Sequence, residues 1–130
     1  MIQLRTLLHV ADNSGVLTVK FIYSLNKAKT ANIGDDVVVS IKSIQPSSTT
    51  HSKQKRRVLK KGTVLRGIII RTKKGIIRPN GTKIFFPDNA IVLYAKNTGN
   101  LLGTRISGPV PYELRSHAKL KFLASAETVV

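Results

Sequence analysis

Residues whose types could do chemistry fall into two groups in this chain, and only one group has a workable spacing. The histidines His9, His51 and His117 stand apart from one another, with no carboxylate or second histidine at ligand spacing. Neither a base paired to a nucleophile nor a metal site is therefore indicated. Asp35 and Asp36 are adjacent, so on a strand they would face opposite ways, and beside Gly34 they read as turn residues. The chain has no cysteine, which excludes disulfides, thiolate chemistry and cysteine-based zinc sites and fits a reducing compartment. There is no phosphate-cradling glycine loop ending in Lys-Ser or Lys-Thr and no glycine fingerprint opening a helix. The expectation is a protein that is not an enzyme and uses no metal and no cofactor.

The second group is cationic and clustered. Lys53, Lys55, Arg56, Arg57, Lys60 and Lys61 form one cluster, and Arg71, Lys73, Lys74 and Arg78 form another, with Arg105 further on. The whole chain carries 22 Lys plus Arg against 6 Asp plus Glu, a net charge of +16. Self-repulsion on that scale opposes folding, so the charge makes physical sense when an anionic partner neutralises it. A basic face kept only for solubility is the bland alternative. A membrane surface would want a basic amphipathic helix or a lipidation signal, and neither is present, so no membrane partner is expected. Nucleic acid is the remaining candidate. An arginine fork grips phosphate or stacks on a base while lysine acts as a point charge, so Arg56, Arg71, Arg78 and Arg105 are the better anchors. Aromatic residues make up only 5% with no Trp. One ring of Phe85-Phe86 is expected inside a strand, so a stacking platform for single strands is poorly supported and recognition of phosphates and RNA shape is favoured.

Positioning these cations falls to strands. Leu7 to Ala11, Val16 to Tyr23, Val37 to Ile44, Thr63 to Thr72, Lys83 to Phe86 and Ala90 to Tyr94 are rich in β-branched or aromatic residues. Turns such as Asp12-Asn13-Ser14-Gly15, Lys73-Lys74-Gly75 and Pro79-Asn80-Gly81 separate them. Short strands at this spacing predict an antiparallel sheet closed into a small barrel, which removes exposed edges. The two cation clusters then flank one strand, Gly62 to Arg71. In Val37 to Ile44 alternation places Val39 and Ile41 on one face and Lys42 toward solvent. Pro46 to Arg57 lacks apolar periodicity and reads as a basic loop. Gly103 to Pro111 is rich in Gly and Pro. Tyr112 to Leu123 has the spacing of a short helix, with Leu114, Ala118 and Lys121 sharing a face and Pro111 and Glu113 suiting its first turn. The tail Ala124 to Val130 is expected to have no separate role. At 130 residues the chain reads as one domain, 1–130, with a basic loop at about 46–61 and a helical part at about 109–124. The longest apolar run, Gly67 to Ile70, is far too short to span a bilayer, and the N-terminal residues read as part of the domain rather than a presequence, so a soluble protein is expected.

Gly67-Ile68-Ile69-Ile70, followed after nine residues by Asn80-Gly81, then Phe86, Asn89 and Val92-Leu93, is similar to the signature of the universal large-subunit ribosomal protein fourteen family. Val10 to Gly15, Arg71 to Gly75, Gly103 to Val110 and Glu113 to Ser116 also resemble that family, in its bacterial and organellar branch. The resemblance implies a mainly β fold, a closed five-stranded β-barrel with a short C-terminal helical segment. It implies a structural role in the large ribosomal subunit, bound to large-subunit rRNA and neighbouring ribosomal proteins at the face that meets the small subunit. Thr104, Arg105 and Arg115 would then face the intersubunit side, serving a bridge to small-subunit rRNA or a silencing or anti-association factor such as docks there in relatives. Pro46 to Lys61 looks longer than the usual bacterial loop, so the family's contacts there do not carry over. That insertion and the Ile- and Lys-weighted composition point to an organelle-encoded copy in the mitochondrial matrix, with bacterial cytoplasm or plastid as alternatives. Two rivals follow from the residues alone: a free-standing barrel binding single-stranded RNA, and a small RNA hydrolase using His117 or His9 as base.

Overall fold

Side chains alternate along an extended strand, so a run that is apolar at every position must be covered on both faces. Gly67 to Ile70 is such a run. In the computed structural model, which describes residues 1–46, 59–115 and 120–130, it lies in a strand with a core on either side. In chain order the elements are β1 (Leu7–Val10), β2 (Val16–Ser24), β3 (Asp36–Ile44), β4 (Val64–Arg71), β5 (Ile76–Ile77), β6 (Lys83–Ile84), β7 (Ala90–Tyr94) and β8 (Ile106–Val110). A 3₁₀ turn (Tyr112–Arg115), α1 (Leu120–Ala124) and β9 (Ala126–Val129) complete them.

Strands β1, β2, β3, β4 and β7 close into a barrel in that order. Four of its pairings are antiparallel, as the turn chemistry predicts. The closing one, β1 with β7, is parallel, with His9 opposite Ala90 and Val10 opposite Ile91. It is parallel because five is odd: an up-and-down order must bring two strands of the same direction together at the seam. Ala11 N–H donates to Ile91 O at 3.0 Å there.

Val19, Phe21, Val39, Ile41, Ile69, Ile91 and Leu93 fill the barrel, and Ile2 plugs it from the N-terminal segment. Lys42 points to solvent as alternation requires. On the outside, Ile68 and Ile70 of β4 and Ala90 and Val92 of β7 meet a second core supplied by Phe86, Ile106, Val110, Leu114 and Phe122. The continuous apolar run thus lies between two cores.

The C-terminal part departs from a single short helix. Its described residues form a 3₁₀ turn and α1, and the buried pair is Leu114 with Phe122, while Lys121 is exposed and Ala118 lies outside the described residues. The tail also has a job: β9 pairs in parallel with β8, a strand the Gly- and Pro-rich composition did not signal. Of the two phenylalanines, Phe86 is buried and Phe85 is 68% exposed, and the strand there shortens to Lys83–Ile84, paired with β5.

Candidate nucleic-acid interface

The described members of the two expected cation clusters flank opposite ends of β4, whose eight residues span roughly 25 Å at about 3.3 Å per residue. Before the strand, Lys60 and Lys61 are exposed on a turn pinned to β3: Gly62 N–H donates to Ile41 O at 2.9 Å and Ile41 N–H to Thr63 O at 3.0 Å. Lys53, Lys55, Arg56 and Arg57 lie outside the described residues. After the strand, Lys73 and Lys74 are exposed on a turn built with little tolerance. Lys73 N–H donates to Asn89 Oδ1 at 2.8 Å, and Gly75 N–H donates to Thr72 Oγ1 at 3.1 Å. Gly75 has φ +71°, and a Cβ there would sit 1.9 Å from the Ile84 carbonyl oxygen. Gly75→Ala is therefore expected to cost about 2–4 kcal/mol and to displace both lysines, which urea denaturation of the variant checks.

The two arginines expected beside these lysines are used differently. A register shift in the β4–β7 ladder brings Arg71 rather than Ile70 opposite Ala90, which turns its side chain out of the barrel and into the second layer. There it is 5% exposed. Its Nε and Nη2 donate to Asp88 at 3.0 and 3.2 Å, and Nη1 donates to the carbonyls of Ser107 and Pro109 at 2.9 and 3.1 Å. Gly108, at φ +79°, lets the backbone wrap this close, since a Cβ would meet Nη1 at 2.6 Å. Arg78 forks onto both carboxylate oxygens of Glu113, donates to the Val130 main-chain oxygen at 2.6 Å, and lies 4.7 Å from the Tyr112 ring centroid. Hydrogen bonding to Glu113 raises the Arg78 pKa. Burial pushes Glu113 upward, but its hydrogen bonds from Arg78 and the backbone together hold its carboxyl below the usual value. Both arginines tie the C-terminal layer to the β4–β7 region.

Carboxylates are consumed the same way. Asp12 accepts from Ser14 and, at 3.1 Å, from Leu93 N–H. Asp35 accepts from Asn32 N–H at 2.7 Å, and Asp36 accepts from the Tyr94 hydroxyl at 3.0 Å. With Asp88 and Glu113 on the arginines, five of the six acids hold the fold together, and Glu127 on β9 is exposed. The outer surface is left strongly cationic. The neighbouring pair Asp35 and Asp36 is thus a turn residue and a tyrosine partner. His9 is exposed on β1, and no group of three or more His, Cys, Asp or Glu that could hold a metal occurs among the described residues.

Thr104 and Arg105 are brought together by Asn13, a residue that in the sequence stands out only as part of a turn. Its Oδ1 accepts from the main-chain N–H of Thr104 at 2.7 Å and of Arg105 at 3.3 Å, and its Nδ2 donates to Thr104 Oγ1 at 2.8 Å. Both side chains project outward, and Arg115 is exposed at the end of the 3₁₀ turn, on a separate element. Beside the Asn13 turn opens a cleft of about 840 Å³ lined by Tyr23, Val38, Arg66, Tyr94 and Leu102 among others. Burial, with the charge of Asp36 and the hydrogen bond to it, pushes the Tyr94 phenol from 10.0 to about 12. Only the neutral phenol can donate to Asp36, so this contribution to stability is complete below pH 10 and is lost as pH rises through about 12. A tyrosinate absorbance titration should show a step near pH 12 that is missing in Tyr94→Phe.

The described structure is thus a small barrel covered by a C-terminal layer, with five of its acids turned to internal work and Lys60, Lys61, Lys73 and Lys74 turned out. The family model described as Ribosomal protein L14p/L23e matches residues 1–130, the whole chain. The chain belongs to this family, and is thereby a structural protein of the large ribosomal subunit rather than a member of an enzyme family.

Proposed function

We propose that the protein binds large-subunit rRNA through phosphate contacts from Lys60, Lys61, Lys73, Lys74 and Arg105, with Arg71 and Arg78 holding the surfaces that present them. One observation carries this reading: among the described residues the fold engages Arg71 and Arg78 internally while leaving lysines exposed on braced turns at both ends of one strand. Turns fixed by backbone hydrogen bonds present charge at a set spacing, which suits a folded RNA whose phosphates are also fixed. Neighbouring ribosomal proteins pack beside it, and Thr104, Arg105 and Arg115 face the small subunit, reaching its rRNA across a bridge or receiving a silencing or anti-association factor. The bracing of Thr104 and Arg105 by Asn13 supports a docking role, since a rigidly presented docking point gives up less entropy on binding. The composition supports a mitochondrial ribosome as the setting.

Titrating the purified protein with a structured rRNA fragment over a range of salt tests the reading. Log affinity falling linearly with log salt, with a slope that reflects several neutralised phosphates, is expected. A preference for unstructured oligonucleotides over the folded fragment would instead favour a free-standing single-strand binder.

A further inference from the structure

We propose that the cleft beside the Asn13 turn takes one unpaired RNA base, stacked on Tyr23 with its phosphate held by Arg66. This deepens the rRNA-binding reading above and rests on it. A bulge in β2 sets the position of the ring. Phe21 faces Val39 inside the barrel, and strict alternation would send Tyr23 inward as well. The ladder shifts between them, so that Tyr23 lies opposite Val38 on the outer face. Bulges of this kind re-aim a side chain at the expense of local pairing. Here the result is an aromatic ring 52% exposed beside a cleft, while Val38 beneath it is buried.

Across the cleft, Tyr94 is fixed by its hydrogen bond to Asp36 at 3.0 Å and by an edge contact with Phe122, centroids 6.4 Å apart. Arg66 adjoins both sides, paired with Val38 on β3 and with Tyr94 on β7. The cleft has room for a nucleotide at about 840 Å³, within the range of roughly 300–1,000 Å³ that ligand sites occupy. Among the described residues its lining contains Arg66 and Lys96 and no carboxylate, and Asp36 behind it is already bonded to Tyr94. A ring, an apolar floor and cations without a lining acid match a base with its phosphate. Lysine is depleted at the centre of a protein interface, whereas RNA sites pair such cations with an exposed ring. Charge complementarity with a chain of net +16 therefore favours RNA over a protein segment as the occupant.

Two RNA stems, identical except for a single bulged adenosine in one, provide the test at fixed salt. The wild-type protein should bind the bulged stem about tenfold more tightly. Tyr23→Ala should abolish that ratio while leaving the affinity for the fully paired stem unchanged, and Tyr23→Phe should retain it. Equal affinity for the two stems, or a ratio that survives Tyr23→Ala, overturns the proposal while sparing the phosphate-binding reading. Binding to neither stem overturns both. In assembled large subunits, a photo-crosslinking amino acid in place of Val64, which is 59% exposed on the same cleft, should label rRNA. Labelling of another protein instead would overturn the proposal.

Discussion

Replacing Arg71 with leucine is expected to destabilise the protein by about 3 kcal/mol, equivalent to roughly 10 °C in Tm for a chain of this size. The guanidinium is buried and supplies four hydrogen bonds. Without it the Ser107 and Pro109 carbonyls have no donor from this side chain, and Asp88 has no counter-charge. The Asp88 side chain keeps 35% of its exposure, so water recovers part of the deficit and the cost falls at the low end of what breaking a buried pair brings. Lysine cannot reproduce a fork that reaches Asp88 and two carbonyls, so Arg71→Lys should recover only part of the stability. Hydrogen exchange should show β8 and β9 opening first, because Arg71 is their tie to β4. A variant as stable as wild type but weaker in RNA binding would return Arg71 to the role of an RNA contact.

Changing Lys60, Lys61, Lys73 and Lys74 together to glutamine should have the opposite profile. All four are exposed on turns, so folding stability should change by no more than about 0.5 kcal/mol per site. Every phosphate that a lysine no longer neutralises takes about 0.9 off the slope of log affinity against log salt, so the slope should fall by about 3 to 4. The pairs can be separated: Lys60 with Lys61, and Lys73 with Lys74, should each account for about half of that fall if RNA lies along β4. A slope unchanged in the quadruple variant would mean that the phosphates are held elsewhere.

These contrasting profiles show what the sequence could and could not convey. Alternation in Val37 to Ile44 and the glycine turns were enough to anticipate a barrel, because strand period and positive φ are local properties. The apolar run at Gly67 to Ile70 was legible as part of a strand and as too short to span a bilayer, but its outer cover, Phe86 with Ile106, Val110, Leu114 and Phe122, comes from far along the chain, which no local pattern reveals. Arg71 and Lys73 are two positions apart, and in the sequence both read as cations facing RNA. A bulge sends one into the protein, and a glycine turn holds the other out. The acid that claims Arg71 lies 17 residues away and the acid that claims Arg78 lies 35 away. The same holds for Tyr23, whose outward turn depends on a bulge set by pairing with β3. Asn13 was legible only as a turn former, since its partners lie 91 and 92 residues on.

Sedimenting a native lysate through a high-salt gradient separates a built-in component of the large subunit from a loose binder, because loosely held cationic proteins lose affinity steeply as salt rises. The protein should travel with the large subunit at salt concentrations that strip peripheral binders. Recovery at the top of the gradient, with large subunits intact below, would contradict its role as a built-in structural constituent that grips rRNA.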